Sequence, residues 1–472
     1  LQLPFLPTYN DAQFKIKYKI DQRNEIYLLG LGALDQFSLN LDANDTEEQQ
    51  FLLNNLPVSP QWNYTNGLVY KHYADKGLWT LVLSRSMLNN EAKKYFENDD
   101  SNPDNLILDY QSQEMENKLR LERTHQAGNY KLSGGLGYEF VKYNNRTFNR
   151  IFTSAGPQTI NFSSAIDFHK YYGFAQASRK FFNERLALSL GFRLDGNSYS
   201  EEMGNPLEQF SPRFSLSYAF SERLSLNFNT GRYFQLPPYT VMGYQEDNML
   251  INRENGLKFI RADHLVGGLE FNTAANSRIT VEGYYKRYTD YPFLLRDSLA
   301  LANLGGNFGV IGNEPAISRS EGRTYGLEFL FQQRLYKGYY GIASYTLGWS
   351  QFEDKNGVFV PSSWDSRHIA NFVIGKKFKR DWEVGINWRF QSGLPYTPYS
   401  DASSLVANWL VNNQGIPDYE KINTLRTRPS NTIDIRVDKK WFFKKWSLNL
   451  YLDVENVTAN SAGTPALILD RP

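Results

Sequence analysis

The residues best suited to acid–base or metal chemistry are few and scattered along the chain. The 472 residues include 5 histidines and no cysteine, and no two histidines have the spacing of a zinc-binding helix. Neither a G-x-S-x-G nucleophile motif nor a phosphate-binding loop is present. A Ser–His–Asp hydrolase would have to use Asp263 with His264, or Asp365 with His368. The sequence therefore predicts a protein that is not an enzyme and has no cofactor.

Oxygen ligands are grouped most closely at Asp99, Asp100 and Asp104. Carboxylates at this density suit Ca²⁺, a hard cation that takes oxygen donors. The segment lacks both the EF-hand spacing and the glycine of the EF-hand turn, so a solvated acidic loop is the favoured interpretation. We therefore expect no metal site, and these three aspartates are only a weak calcium candidate.

Aromatic and amide side chains gather in two long polar segments, residues 236–258 and 396–427. The predicted ligand-binding residues of these segments are Tyr239, Tyr244, Gln245, Tyr399 and Trp409. Rings beside amides suit sugars or peptides, because stacking and hydrogen bonding act together. The alternative is the girdle of Tyr and Trp that marks a membrane interface. For the mid-segment residues Tyr244 and Trp409, ligand binding or loop packing is favoured over the girdle.

The elements that would position these residues are strands, because apolar and polar residues alternate along the whole chain. In residues 186–195, for example, Leu190 and Phe192 oppose Ser189, Gly191 and Arg193. Such runs reach about 10 residues, whereas soluble strands usually have about 5–6. A tilted strand needs about 9–11 residues to cross a bilayer. Aromatic residues make up 15% of the chain, which also favours strands.

Composition narrows the class of protein further. No run of about 18 apolar residues is present, so the sequence contains no candidate transmembrane helix. The mean hydropathy of −0.52 is polar, as expected for a membrane barrel in which only alternate residues face lipid. The formal net charge of +1 argues against nucleic acid as a partner, because nucleic acid normally demands a basic face.

Connections of two lengths alternate along the chain. Nine tight turns are separated by long connections at roughly 41–59, 91–105, 151–162, 202–209, 236–258, 293–318, 353–364 and 396–427. Short periplasmic turns and long outer loops are typical of outer-membrane barrels. The pattern predicts an all-β, antiparallel up-and-down barrel of about 18 strands over residues 1–472. Both chain ends would then lie outside the cell, so we expect an incomplete barrel with further strands on either side.

A barrel of this size has a lumen too wide for side chains to fill. Arg193 and Arg389 lie on its predicted polar face and are candidates for lining a substrate path. The same face carries Asp195, Glu282, Lys286, Glu328, Glu383, Asp434 and Arg436. For any one of these residues, the favoured interpretation is that it holds a plug or hydrates the wall.

Several stretches resemble the barrel of TonB-dependent receptors, especially those of Bacteroidota. Residues 211–218 (Ser-Pro-Arg-Phe-Ser-Leu-Ser-Tyr) and 229–238 (Asn-Thr-Gly-Arg-Tyr-Phe-Gln-Leu-Pro-Pro) are similar to the mid-barrel hairpin and the start of the loop after it. Residues 364–368 (Trp-Asp-Ser-Arg-His) resemble a later strand start, and 453–458 (Asp-Val-Glu-Asn-Val-Thr) resemble the penultimate strand. Residues 261–270 and 321–329 are also similar to barrel strands.

The resemblance implies a barrel of about 22 strands, of which three would precede Leu1 and one would follow Pro472. It implies active uptake of a siderophore, glycan or peptide, with the TonB complex as partner through a plug region missing from this chain. It also implies an outer-membrane location with lipid and lipopolysaccharide contacts, and a surface lipoprotein is a plausible partner. A passive porin remains an alternative, as does a scaffold or enzyme barrel in an outer-membrane assembly.

Overall fold

The computed structural model describes residues 4–153, 156–274, 276–304, 313–400 and 417–460. This part of the chain contains 18 long strands. We number them in chain order: β1 (Phe5–Lys19), β2 (Asn24–Leu39), β3 (Gln61–Ala74), β4 (Gly77–Tyr95), β5 (Leu106–Ala127), β6 (Tyr130–Thr153), β7 (Gly156–Phe181), β8 (Leu186–Asn197), β9 (Ser211–Ala219), β10 (Leu224–Gln235), β11 (Ile260–Asn272), β12 (Ser277–Leu294), β13 (Ala316–Tyr336), β14 (Tyr339–Glu353), β15 (His368–Lys377), β16 (Trp382–Gln391), β17 (Ser430–Phe442) and β18 (Ser447–Val454).

Each of these strands pairs antiparallel with the strand that follows it, so the wall has an up-and-down topology. Among the described residues, β1 pairs only with β2 and β18 only with β17. The predicted all-β barrel is confirmed, and so are its 18 long strands.

The two faces of the wall follow the alternation in the sequence. Leu136, Leu190, Leu265 and Leu327 are exposed on the outer face, where lipid replaces water around an outer-membrane barrel. Residues of the other parity point inward, and most of the polar side chains lie there. An apolar exterior around a polar interior inverts the arrangement of soluble proteins, as the sequence predicts.

The nine tight turns are confirmed, and all lie at one rim. At the other rim the loop predicted over residues 151–162 is wrong, because β6 and β7 continue to Thr153 and from Gly156. The inward positions at this end of β6 are polar, which hides the strand pattern. Asn145 and Thr147 are nevertheless buried, and Thr147 Oγ1 donates to Asn145 Oδ1 at 2.6 Å.

In the part of the chain that the structure describes, helices are short and lie between strands, and all except the 3₁₀ turn at Lys379–Asp381 lie in the long connections. They comprise α1 (Glu47–Asn55), α2 (Tyr239–Met242) and α3 (Ile251–Glu254), with 3₁₀ turns at Phe96–Asn98, Pro103–Asn105, Leu301–Asn303, Lys379–Asp381 and Tyr419–Lys421. Short strands are found at Leu299–Ala300, Phe359–Pro361, Pro395–Tyr396 and Leu425–Arg426. In the described ranges, every helix is too short or too polar to span a bilayer.

Candidate functional site

The loops at the rim with the long connections fold over the inner wall and form a hydrophobic cluster with it. We call residues 198–210, 236–259, 295–304 and 313–315 the loop cap. Val241, Met242 and Leu257 of the cap are fully buried. They belong to one hydrophobic cluster with Tyr143 of β6 and Phe168 of β7. Burying such a side chain contributes about 1.5–3 kcal/mol, so this cluster fixes the cap on the β6–β7 wall.

A buried amide joins two segments of the loop cap. Asn252 is fully buried on α3, and its Nδ2 donates to the carbonyl oxygen of Val241 at 2.7 Å and to that of Glu314 at 3.2 Å. Its Oδ1 accepts the main-chain N–H of Ala316 at 2.6 Å. Because all three partners are main-chain groups, the side chain substitutes for the strand pairing that these loops lack.

An ion cluster lies beside this amide. Glu314 is 1% exposed, and its Oε1 lies 3.0 Å from Arg296 Nη2. Its Oε2 accepts the main-chain N–H of Arg296 at 3.1 Å and that of Asp297 at 3.3 Å. Burial, together with the nearby Asp297 carboxylate, raises the pKa of Glu314 to about 7 against the opposing charge of Arg296.

On the lumen side, Tyr239 ties the cap to the charged inner wall. Its hydroxyl donates to Glu116 Oε1 on β5 at 2.7 Å. Lys170 Nζ on β7 lies 2.9 Å from the same oxygen and 2.6 Å from Glu139 Oε2 on β6. Lys118 Nζ on β5 lies 2.5 Å from Glu116 Oε2 and 3.7 Å from Glu139 Oε2, so two lysines share these two carboxylates. We call Glu116, Glu139, Lys170 and Tyr239 the wall cluster.

A cavity of about 500 Å³ adjoins the wall cluster, and Tyr239 and Arg193 both line it. Arg193 Nη2 lies 2.7 Å from Asp195 Oδ1, and the guanidinium lies 3.8 Å from the centre of the Tyr172 ring. The cation is thus matched by one carboxylate and one aromatic face. This geometry supports a polar wall whose charges pair with each other.

A second cavity, of about 840 Å³, lies on the outer side of the cap, and we call it the outer cavity. Its walls are residues 158–163 of β7 and residues 244–248, 295–296 and 315 of the cap. Tyr244 and Gln245 both lie in this wall. The Tyr244 hydroxyl donates to Glu246 Oε1 at 2.6 Å, and the Tyr244 ring packs edge-on against Phe162 at 5.2 Å.

The other predicted ligand-binding residues lie elsewhere. Arg389 Nη2 on β16 lies 3.0 Å from Asp434 Oδ2 on β17. Tyr399 forms an isolated bridge with Pro417, and burial raises the pKa of its hydroxyl. Trp409 lies outside the described residues. The structure thus brings Tyr239 together with Arg193 and Tyr244 together with Gln245, and ligand binding by these residues stays a prediction.

The three candidate calcium ligands lie in the loop between β4 and β5. Hydrogen bonds from the Ser101 hydroxyl and main chain hold the pKa of Asp99 below its usual range. Asn105 Nδ2 also donates to Asp99 Oδ2 at 2.8 Å. The described ranges contain no group of three or more His, Cys, Asp or Glu side chains able to hold a metal ion. Asp99 acts here as the acceptor that shapes a turn.

The two hydrolase candidates do not form catalytic pairs. Asp263 and His264 are adjacent on β11 and therefore point to opposite faces of the wall. Asp263 pairs with Arg232 at 2.7 Å, whereas His264 stacks on Tyr233 at 4.6 Å. Asp365 is held by Arg426, and His368 Nδ1 bonds the Tyr345 hydroxyl at 2.8 Å.

Sequence reasoning missed the wall cluster and the ion cluster. The alternation assigns Glu116, Glu139 and Lys170 to the inner face, but only the register between strands brings their charges together. Glu314 and Arg296 are separated by a long segment of loop, and the sequence carries no periodic signal for their contact. The sequence signal that comes closest to predicting the wall cluster is the inward parity of Lys170, a charged residue in the middle of a strand.

Comparison with known proteins identifies the family. Residues 8–457 match the family model of the TonB-dependent receptor-like β-barrel. Compared with curated protein sequences, the chain gives no significant match. It is similar in structure to a copper transporter, OprC (TM-score 0.68, 14% identity, covering 96% of this chain and 68% of that one). It is similar also to the unliganded ferric citrate transporter FecA (TM-score 0.67, 12% identity, covering 97% of this chain and 66% of that one).

A third similar structure is FpvA of P. aeruginosa bound to an iron pyoverdine (TM-score 0.68, 14% identity, covering 97% of this chain and 61% of that one). At these identities the likeness shows the fold, and the chain spans only about two thirds of the length of these structures. The family match confirms both the resemblance seen in the sequence and the outer-membrane location. The chain therefore belongs to the TonB-dependent receptor family, as a barrel of that family.

Proposed function

We propose that this barrel takes up a nutrient ligand actively, with energy supplied by the TonB complex. The observation that carries the proposal is the loop cap. A cap with its own hydrophobic cluster is suited to holding a ligand at the outer face and releasing it inward. A passive pore gains nothing from a buried hydrophobic cluster that holds its loops against the wall.

In this proposal the ligand binds in the two cavities one after the other. The outer cavity, on the outer side of the cap, receives the ligand at Tyr244 and Gln245. The cavity beside the wall cluster, lined by Tyr239 and Arg193, accepts it next, after the cap has moved. Arg389, Tyr399 and Trp409 are proposed to contact the ligand along other parts of the path.

The ligand class is proposed from three candidates: a metal chelate such as a siderophore complex, a glycan or a peptide. The similar structures are named for copper, ferric citrate and pyoverdine transport, which supports the first class. The aromatic and amide residues of the outer cavity support the other two.

The partners are proposed with the same mechanism. TonB would act through a plug region outside residues 1–472, and the apolar outer face would contact lipid and lipopolysaccharide. A surface lipoprotein would cover the loop cap from outside. The barrel performs no catalysis in this mechanism, in which lysine and arginine side chains match the inner carboxylates of Glu116, Glu139, Asp195 and Asp434.

Uptake by cells that carry the full-length protein tests the proposal. A panel of labelled ferric siderophores, oligosaccharides and peptides is offered with and without a protonophore. We expect at least one panel member to enter, and its entry to stop when the proton gradient collapses or TonB is deleted. Entry that persists without the gradient, together with large ion conductance in planar bilayers, would instead support the passive porin.

A further inference from the structure

The upper part of β7 has a strand partner on one edge only. β6 pairs with β7 over its length, from Gly156 to Arg179. β8 pairs with β7 only from Lys170 onward, where its last residue is Asn197. In the described part of the chain, residues 158–168 of β7 therefore have an edge without a neighbouring strand.

Two contacts show which residues turn their main chain toward this edge. The carbonyl oxygen of Ser163 accepts a hydrogen bond from Gln245 Nε2. At the lower end, His169 donates its N–H to Ser198 Oγ at 2.9 Å and accepts the N–H of Ser198 at 2.9 Å. Strand geometry makes the pattern alternate, so Asn161 and Ala165 direct their N–H and C=O groups the same way.

The outer cavity lies directly beside this edge. Six consecutive residues, 158–163, line it, although side chains of successive residues point to opposite faces of a strand. Because the cavity contacts both the odd-numbered and the even-numbered residues of this range, it must lie beside the edge of the strand and not against one face. Gln245 occupies one acceptor position of the edge with a side-chain amide, as the main chain of an added strand would.

The edge is held rigidly by its inner face. Ile166 and Phe168 are buried in the hydrophobic cluster of the loop cap, and Phe162 packs against Tyr244. Because this strand edge is already ordered, the conformational entropy lost on binding comes mainly from the incoming segment. Natural proteins usually cover such edges, which makes an exposed one beside a cavity informative.

The charges in the wall of the outer cavity favour a ligand with a basic group. Arg296 is matched by Asp297 and Glu314, which leaves the carboxylates of Glu246 and Asp247 in the cavity wall. At about 3.3 Å per residue, the six strand residues span about 20 Å. An extended segment of about five or six residues with a basic side chain matches this length and charge.

We infer that the outer cavity binds an extended peptide carrying Lys or Arg, which adds as a strand to the β7 edge at residues 159–165. Main-chain hydrogen bonds supply the affinity of such a complex, and the cavity wall selects side chains. An oligosaccharide has no evenly spaced N–H and C=O groups and would not use the edge. The inference rests on the proposed function in one respect, because it names the ligand class of the same outer cavity.

The test is peptide capture by the purified full-length protein in detergent micelles. The probe is a tryptic digest of casein, in which nearly every peptide ends in Lys or Arg, and mass spectrometry identifies what is retained. Asn161→Pro removes an N–H at the open edge, where proline is tolerated in a strand. Asn161→Ala is the matched control, because it removes the side chain and keeps the N–H.

We expect the wild-type protein and Asn161→Ala to retain the same peptides, and Asn161→Pro to bind them at least about tenfold more weakly. Heat-modifiable migration on gels establishes that each variant is folded. A retained peptide resynthesised with alternate main-chain N-methyl groups should also lose at least about tenfold in affinity for the wild-type protein. This second arm needs no variant.

Three outcomes would overturn the inference: no retained peptide, equal retention by Asn161→Pro, or full binding of the N-methylated peptide. Retention of a maltodextrin mixture, unaffected by Asn161→Pro, would assign the cavity to glycans instead. Binding in micelles needs no proton gradient. Failure here therefore leaves the proposed active uptake standing, and uptake without the gradient leaves peptide binding standing.

Discussion

The wall of this barrel is built differently on two sides. On one side β5, β6 and β7 have 22, 24 and 26 residues. On the other side β15, β16, β17 and β18 have 10, 10, 13 and 8. The long strands carry buried inner residues such as Tyr143 and Phe168, whereas no residue of β16, which is paired on both edges, is buried.

The difference in strand length determines where the loop cap can pack against the wall. About 9–11 residues suffice to cross a bilayer, so the long strands continue well beyond it and the short ones do not. The extra length gives the loop cap a wall to pack against, and both cavities lie beside β7. The two cavities and the wall that seats the loop cap are therefore on the same side of the barrel, and substitutions on the two sides test that asymmetry.

The largest effect is expected from Phe168→Ala. The side chain is 1% exposed in the cluster that seats the cap, and emptying such a site costs about 3–5 kcal/mol. We expect hydrogen exchange in residues 236–259 to become much faster while the barrel stays folded. Phe329→Ala on the outer face of β13, where the side chain is 40% exposed, is the matched control and should leave the cap unchanged. Equal exchange in both variants would disprove the seating of the cap on β7.

The next effect is expected from Lys170→Met. It removes one of the two lysines, Lys118 and Lys170, whose Nζ atoms contact both Glu116 and Glu139. Because these groups are partly exposed, we expect the closed cap to lose about 1–3 kcal/mol. The control is Arg389→Met on the short-strand side, where the side chain is 57% exposed and a loss of only about 0–1 kcal/mol is expected. Equal losses would contradict the asymmetry.

A pH effect is expected from Glu314. Its pKa is about 7 in the closed cap and 4.5 in an unstructured chain. Between these values the closed cap keeps a proton that the open one has lost, so cap stability is fully present below about pH 4.5 and falls as the pH rises to 7. We expect cap opening, followed by hydrogen exchange corrected for its intrinsic rate, to increase by more than tenfold from pH 5 to pH 8, and by about 70-fold for the full shift.

Glu314→Gln is the control for this pH effect. It retains a side-chain oxygen for the main-chain N–H groups of Arg296 and Asp297 but cannot titrate. Its cap opening should be independent of pH over this range. A pH dependence that survives the substitution would assign the titration to another group.

The smallest effect is expected from Tyr239→Phe. The substitution removes the hydrogen bond that the hydroxyl donates to Glu116, at 2.7 Å, and the one that it accepts from Lys170 Nζ, at 3.3 Å. It keeps the ring contacts with Tyr143 and Phe168. We expect the closed cap to lose about 0.5–1.5 kcal/mol, again measured by hydrogen exchange in the cap. A loss as large as that of Phe168→Ala would show that the hydroxyl, and not the ring, anchors the loop.

Much of the wall could be predicted from the sequence because alternation and turn chemistry are local. The strand Leu186–Asn197 is one example, with Leu190 outside and Arg193 inside. The prediction failed at residues 151–162, where β6 and β7 continue as strands. Just before this range, inward polar residues such as Asn145 and Thr147 are buried by loops. Whether an inward polar residue is buried depends on the cap, and the local sequence does not encode that.

The candidate site was harder to predict for the same reason. Tyr239 and Tyr244 were singled out from the composition of their loop, but their partners lie on distant strands. Glu116 is 123 residues from Tyr239, and Ser163 is 82 residues from Gln245. Only strand register and loop docking bring such pairs together, and neither is readable from one segment alone.

Seating of the loop cap on β7 can be tested directly by a disulfide between Ser164→Cys and Gly243→Cys. A Cβ atom at position 243 would lie 2.9 Å from Ser164 Oγ, close to the distance of about 3 Å that a disulfide imposes between these positions. The same atom would lie 2.8 Å from Tyr143 Cε1, so the Tyr143 ring has to shift by a few tenths of an ångström, and heat-modifiable migration on gels establishes that the reduced double variant is folded. The chain has no cysteine, so the engineered pair is the only one in these residues.

We predict that mild oxidation in outer membranes links most molecules, as read by mass spectrometry of the joined peptides, and that either single variant gives no link. Free thiols at both positions after oxidation, each reactive toward a maleimide, would contradict the account.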